Sequence, residues 1–198
     1  CSVRRQRQMC IRDSLYVISA PSGAGKTSLV RELCKRVAFM RPSISYTTRK
    51  IRKSEIDGKD YFFTSREHFE SMISKDQFIE YQSVYGNLYG STRENVLNQL
   101  DEGYDVILEI DYKGMMKIKS IYPEAITIYI VPPSIDSLRE RLISRAQDDL
   151  ETVEKRISSA RFELCYAKFA DYVIINGNFR SAFVDLVKII LVNKLTNL

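Results

Sequence analysis

An α/β core carrying a smaller mixed insert is the fold class this sequence predicts, and three observations predict it. A short apolar run ends in a glycine-rich turn and is followed by helical spacing. Three later apolar runs alternate with helical patterns. Between them, residues 43–91 break both habits and are rich in Tyr, Ser, Thr, Arg and Gly. Nearly continuous apolar runs suit strands buried on both faces, as in a parallel sheet, and strand–helix alternation implies right-handed crossovers. A chain of 198 residues holds one such core with an insert, not two large independent domains.

The first strand is expected over 15–20, where Leu-Tyr-Val-Ile-Ser-Ala precedes the turn Pro21-Ser22-Gly23-Ala24-Gly25. A helix should then open near Lys26 and run to about Ala38, burying Leu29, Val30, Leu33 and Val37. Further core strands are expected at 106–110, 126–131 and 172–175. Pro132 and Pro133 end the third of these four before a helix over 134–144, with Leu138 and Leu142 on one stripe. A long mixed helix is expected over 152–170. Another over 181–194 should place Phe183, Leu186, Val187, Ile190 and Leu191 on one face. Within the insert, short strands are expected near 61–63, 78–81 and 87–89, with an amphipathic helix over 66–73. Residues 145–155 are polar and highly charged, and are expected to be a mobile surface segment between two helices.

Composition excludes several function classes. At 44% hydrophobic and 28% charged residues, the chain is neither disordered nor collagenous, and no run approaches a membrane span of roughly 18–20 apolar residues. The net charge of +5 suggests a polyanion partner until it is located: residues 1–14 carry +3, leaving +2 on the other 184. That stretch lacks an apolar signal-peptide core. It is expected to be a disordered or artefactual tail, the alternative being a basic arm. Of the four cysteines, Cys1 and Cys10 lie in the tail, while Cys34 and Cys165 fall in helical patterns. None shows Cys-x-x-Cys spacing, so neither a zinc site nor a disulfide framework is expected. His68, the only histidine, is expected on an exposed helix without a catalytic role.

The sharpest chemical signal is Ala20-Pro21-Ser22-Gly23-Ala24-Gly25-Lys26-Thr27. Glycines let backbone N–H groups turn around a phosphate, a lysine adds a point charge at the β- and γ-phosphates, and a hydroxyl can sit on Mg²⁺. The helix N-terminus behind adds its dipole. The generic motif wants Gly where Ala20 stands. In the insert, Arg49 and Arg52 stand three apart, followed by Tyr61, a set able to clamp a second, smaller phosphate. Glu80, Glu109 and Asp111 supply carboxylates, which accept from guanine's N1–H and N2–H₂ but would repel adenine's N1. Ser45 can donate to guanine's acceptor edge.

Taken in order, S-A-P-S-G-A-G-K-T, S-Y-T-T-R-x-x-R, D-G-K-D-Y-x-F, F-I-E-Y, G-N-L-Y-G-S-T, L-E-I-D-Y-K-G and V-P-P-S resemble the motifs of bacterial-type guanylate kinases, ATP:GMP phosphotransferases, over about residues 15–195. The resemblance implies a P-loop nucleoside-monophosphate-kinase fold. Its parts would be a parallel five-stranded core (15–44, 92–144, 157–198), a GMP-binding insert (45–91) and a helical lid (145–156). It implies that Ser22, Gly23, Ala24, Gly25, Lys26, Thr27 and Ser28 hold ATP phosphates, with Mg²⁺ on Thr27 and, through water, Glu109. It also implies that Asn176 binds ATP, as part of the segment that contacts the adenine. Arg49, Arg52, Tyr61 and Tyr89 would grip the GMP phosphate, and Ser45, Glu80, Ser91 and Asp111 would read guanine. Lys26, Arg49 and the lid arginines Arg141, Arg145 and Arg156 would act on the transferring phosphoryl group. Arg141 and Arg145 are four residues apart, so a shared helix would present them on one face.

The chain departs from the family's habits at Tyr112, where Trp is frequent, at Arg145-Ala146 in place of Arg-Gly, and at Asn176-Gly177-Asn178 in place of Asn-Asp-Asp. The last change bears on the donor base. Substrates are expected to be ATP and GMP, with no nucleic-acid or membrane partner, a cytoplasmic location, and either a monomer or a homo-oligomer. The competing classes are a phosphopeptide-binding guanylate-kinase-like module, a related ribose-bisphosphate phosphokinase and a basic nucleic-acid binder. The intact phosphate loop argues against the first, the guanine-reading carboxylates against the second, and the location of the charge against the third.

Overall fold

The computed structural model describes residues 14–53, 55–84, 86–144 and 150–196. The expectations for the tail before Ser14, for Arg145 and for the start of the lid fall outside the described residues.

Five strands form one parallel sheet in the order β2-β7-β1-β8-β9: β1 (Leu15–Ser19), β2 (Met40–Pro42), β7 (Asp105–Glu109), β8 (Ile126–Val131) and β9 (Tyr172–Ile175). Four of the five coincide with apolar runs. The exception, β2, has three residues of which only Met40 is buried, so no periodicity could mark it. It exists because it pairs with β7, Met40 facing Asp105, while the Asp105 amide donates to Phe39 at 2.9 Å.

Central β1 is buried along its whole length. Its alternate side chains serve two cores. Tyr16 and Ile18, with Ile107, Ile128 and Ile174, pack against helices α1 (Lys26–Arg36) and α7 (Phe179–Thr196). Val17, with Leu108 and Tyr129, packs against α3 (Arg93–Asp101) and α4 (Tyr112–Ile121). Each fully buried Ile, Leu or Val contributes about 1.5–3 kcal/mol. Helix α1 buries Leu29, Val30 and Leu33 as expected but ends at Arg36, with Val37 as its extended C-cap. In α7 the buried stripe is Ala182, Leu186 and Ile190. Leu191, one step further round the helix, is exposed.

A second sheet, β4-β3-β6-β5, is mixed: β3 (Tyr46–Thr47), β4 (Phe62–Phe63), β5 (Phe78–Val84) and β6 (Asn87–Thr92). Strands β5 and β6 exceed their expected lengths because they pair with each other antiparallel along their whole lengths: β5 runs on to Val84 opposite Asn87, and β6 runs on to Thr92 opposite Phe78. Helix α2 (Arg66–Ser74) is capped by Ser65, which accepts from the His68 amide, so His68 sits exposed in its first turn. The helix buries Phe69 against Phe78, ring centroids 4.4 Å apart. Helices α5 (Ile135–Ser144) and α6 (Leu150–Glu163) share their own small core of Leu138, Leu142, Val153 and Ile157. Residues expected to extend one helix to Ala170 instead form a separate 3₁₀ helix, Leu164–Phe169. Among the described residues, no helix is long and apolar enough to cross a membrane.

Candidate active site

The glycine turn leaves the C-terminal end of β1, where the sheet order reverses on either side, the position at which open α/β sheets form ligand crevices. Gly23 and Gly25 take left-handed φ of +92° and +96°. Helix α1 starts at Lys26 with Gly25 as its cap and no side-chain hydrogen bond at that cap. Its first amides therefore present an anion site. A Cβ on Gly23 would lie 2.9 Å from Leu138 Cδ1, so the loop packs directly on α5.

Lys26 Nζ donates to the Ile110 carbonyl at 3.2 Å. Desolvation pulls its ammonium below the ordinary lysine range, and the carboxylates of Glu109, Asp111, Glu80 and Glu163 act in the opposite direction. Thr27 Oγ1 donates to Glu109 Oε2 at 2.9 Å. A hydroxyl and a carboxylate at the mouth of the loop are the oxygen donors a hard cation such as Mg²⁺ takes. Ser22 Oγ stands 3.4 Å from Arg156 Nη1 of α6, and Ser28 is exposed beside the loop.

The insert gathers the acceptor candidates. Arg49 holds Glu55 with two hydrogen bonds, at 2.8 and 3.0 Å, and its guanidinium lies 5.4 Å from the Tyr61 ring centroid. Tyr61 and Tyr89 meet edge to face at 6.0 Å. Burial, with Glu109 and Tyr89 nearby, pushes the Tyr61 phenol up to about 12. Arg52 is half-exposed and gives its backbone N–H to Glu55 at 2.9 Å. Glu55 was not legible as a site residue. Its spacing from Arg49 and Arg52 suits an ordinary loop ion pair, and only the fold shows it bridging both.

Beneath this clamp lies a buried polar chain. Ser45 and Ser91 hydroxyls are 3.1 Å apart, and the Ser91 amide donates to Glu80 Oε1 at 3.1 Å. Glu80 is 2% exposed. Burial raises its carboxyl to about 7; Asp111 adds to the rise, and Ser91 and Lys117 oppose it. Asp111 caps α4, accepting from the Gly114 amide at 2.8 Å. Gly114 leaves room for Glu80, whose Oε2 would lie 3.0 Å from a Cβ there.

The structure brings Arg141 and Arg156 to the loop, while Arg145 is outside the described residues. Arg141 Nη2 donates to the Asn176 carbonyl at 2.7 Å. Asn176 lines a cleft of about 390 Å³ with Gly25, Arg141 and Phe179, and its amide nitrogen is bonded to the Ala24 carbonyl at 2.7 Å. Phe179, 44% exposed, is the aromatic in that cleft. It lies two residues before the helix expected over 181–194, so no helical stripe marked it.

Comparison with known proteins gives a consistent picture. The family model described as guanylate kinase matches residues 12–192. The guanylate kinase of Coxiella burnetii is 46% identical over 182 residues, covering 92% of this chain and 88% of the relative. That of Thiobacillus denitrificans is 45% identical, covering 88% and 84%. The crystal structure of guanylate kinase from Anaplasma phagocytophilum superposes with a TM-score of 0.75 at 31% identity, covering 93% of this chain and 87% of that one.

Proposed function

The chain belongs to the guanylate kinase family and is a nucleoside-monophosphate kinase, and on that premise we propose how its residues divide the reaction ATP + GMP ⇌ ADP + GDP. ATP phosphates lie in the loop of Ser22 to Ser28, gripped by backbone amides and Lys26. GMP lies in the insert, its phosphate on Arg49, Arg52, Tyr61 and Tyr89, its guanine on Ser45, Glu80, Ser91 and Asp111. The observation that supports the acceptor most directly is the buried Glu80–Ser91–Ser45 chain beside the Arg49–Tyr61–Tyr89 clamp. A base edge with two donors and one acceptor fits the first, and a compact anion fits the second.

Phosphoryl transfer has a loose transition state, so the protein's work is positioning and charge stabilisation. A GMP phosphate oxygen attacks in line, and no side-chain nucleophile is required. Lys26, with Arg141, Arg145 and Arg156 from the lid side, stabilises charge on the equatorial oxygens. Thr27 would hold Mg²⁺ directly and Glu109 through water. An ion held there would supply positive charge to offset that of the phosphates. We assign 15–44, 92–144 and 157–198 to the core, 45–91 to the GMP-binding insert and 145–156 to the lid. Closure of insert and lid excludes water that would otherwise hydrolyse ATP. A cytoplasmic location suits these nucleotide substrates.

The test is coupled ADP release with ATP and Mg²⁺, comparing GMP with AMP, UMP and ribose bisphosphate on protein lacking residues 1–13. Turnover with GMP alone is expected. Turnover with another acceptor would discard the roles of Glu80 and Asp111. GMP or phosphopeptide binding without turnover would replace the kinase by a binding module.

A further inference from the structure

Asn176 stands where three elements meet, and three of its polar groups each serve a different one. Its backbone N–H donates to the Val131 carbonyl of β8 at 2.8 Å, which fixes the residue to the sheet. Its carbonyl accepts from Arg141 of α5 at 2.7 Å. Its side-chain Nδ2 donates to the Ala24 carbonyl of the phosphate loop at 2.7 Å. The partner is an acceptor only, so the amide's orientation is settled by chemistry. Asn176 is 5% exposed, so this bond is sheltered from water.

The Ala24 carbonyl matters because of what lies across its peptide. A trans peptide is planar, so the Ala24 C=O and the Gly25 N–H point in opposite directions. Drawing the oxygen toward Asn176 therefore aims the Gly25 N–H to the opposite side. Gly25 is in turn required by this arrangement. It sits at φ +96°, and a Cβ there would lie 2.4 Å from Asn176 Nδ2.

We propose that Asn176 is a positioning residue for the donor triphosphate: its side chain aims the Gly25 amide into the phosphate cradle, and its carbonyl places Arg141 beside the same cradle. This rests on reading the loop as the ATP site. The role differs from contact with a donor base, because the amide nitrogen faces protein backbone.

The test uses the full chain and measures binding of the β,γ-imido analogue of ATP with Mg²⁺, and of GMP separately, by calorimetry. Asn176→Asp keeps the shape but removes the donor at pH 8. Asn176→Ala removes the group altogether. Both are expected to weaken analogue binding about 10- to 100-fold, the range for losing one hydrogen bond from the Gly25 amide to a charged phosphate, while GMP affinity stays within about twofold. Lowering the pH from 8 to 5 should restore part of the analogue affinity to Asn176→Asp alone, because a protonated carboxyl can again donate to Ala24. Analogue affinity within about twofold of the parent in both variants would overturn the inference. So would parallel loss of analogue and GMP binding with a lowered thermal midpoint, which is a merely structural role. If the parent chain itself fails to bind the analogue, the ATP-site reading falls and the inference with it. Parent turnover with GMP in the coupled assay separates that failure from failure of Asn176 alone.

Discussion

The phosphate loop holds its shape with backbone, whereas the clamp in the insert holds its shape with paired side chains. In the loop, two glycines at positive φ, a helix N-terminus and one asparagine set the direction of amides that carry no titratable proton. In the insert, Arg49 is held by Glu55, Ser45 by Ser91, and a buried Glu80 carries a carboxyl near neutrality. A backbone cradle fails through conformation, and a side-chain clamp fails through charge. The two halves of one reaction should therefore respond to different perturbations.

The largest expected effect is on the donor side. Lys26→Ala should lower kcat by about 10³-fold in the coupled assay, with an unchanged circular-dichroism spectrum and GMP affinity nearly intact, because the lost group acts on charge in the transferring phosphoryl. A fully active variant would sink the assignment. Next is the clamp. Arg49→Ala should raise KM for GMP by about 100-fold while KM for ATP moves little, and Arg49→Lys should recover only part, since an ammonium cannot make the paired contact made to Glu55. Equal changes in both KM values would erase the distinction between the sites.

pH sharpens the comparison further. GMP binding needs the Glu80 carboxylate, so affinity should fall below about pH 7, approaching about tenfold per pH unit, while binding of the ATP analogue stays nearly flat between pH 6 and 8. The stability sign is opposite. The folded carboxyl is raised from 4.5 to about 7, so the free enzyme is favoured by proton binding below pH 4.5 and loses that advantage as pH rises through 7. Glu80→Gln should thus abolish the pH dependence of GMP binding and raise the thermal midpoint at pH 8 by about 5 °C. A lower midpoint would show that burial is not the dominant cause of the shift. The smallest effect belongs to the pair tying insert to core. Arg31, largely exposed on α1, meets Asp60, and Arg31→Ala should change KM for GMP by no more than about twofold, as exposed ion pairs contribute about 0–1 kcal/mol.

Legibility followed the range of the interactions. Local signals are written in short stretches: apolar runs for β1, β7, β8 and β9, the glycine turn, Leu138 and Leu142 on one stripe. Those the chain alone determined, because a strand buried on both faces must be apolar and a left-handed turn must contain glycine. The ordered motifs also carried the family, and with it the pairing of loop and clamp. Other features depended on partners far away in sequence. Strand β2 exists only because β7 lies beside it. Glu55 became part of the clamp only once its loop folded back on Arg49 and Arg52. Asn176 found the phosphate loop 152 residues away. A hydrogen bond between distant residues leaves no period and no spacing in the chain. Its donor and acceptor are generic until the fold sets them 2.7 Å apart, and so the aim of the phosphate cradle was decided by tertiary structure alone.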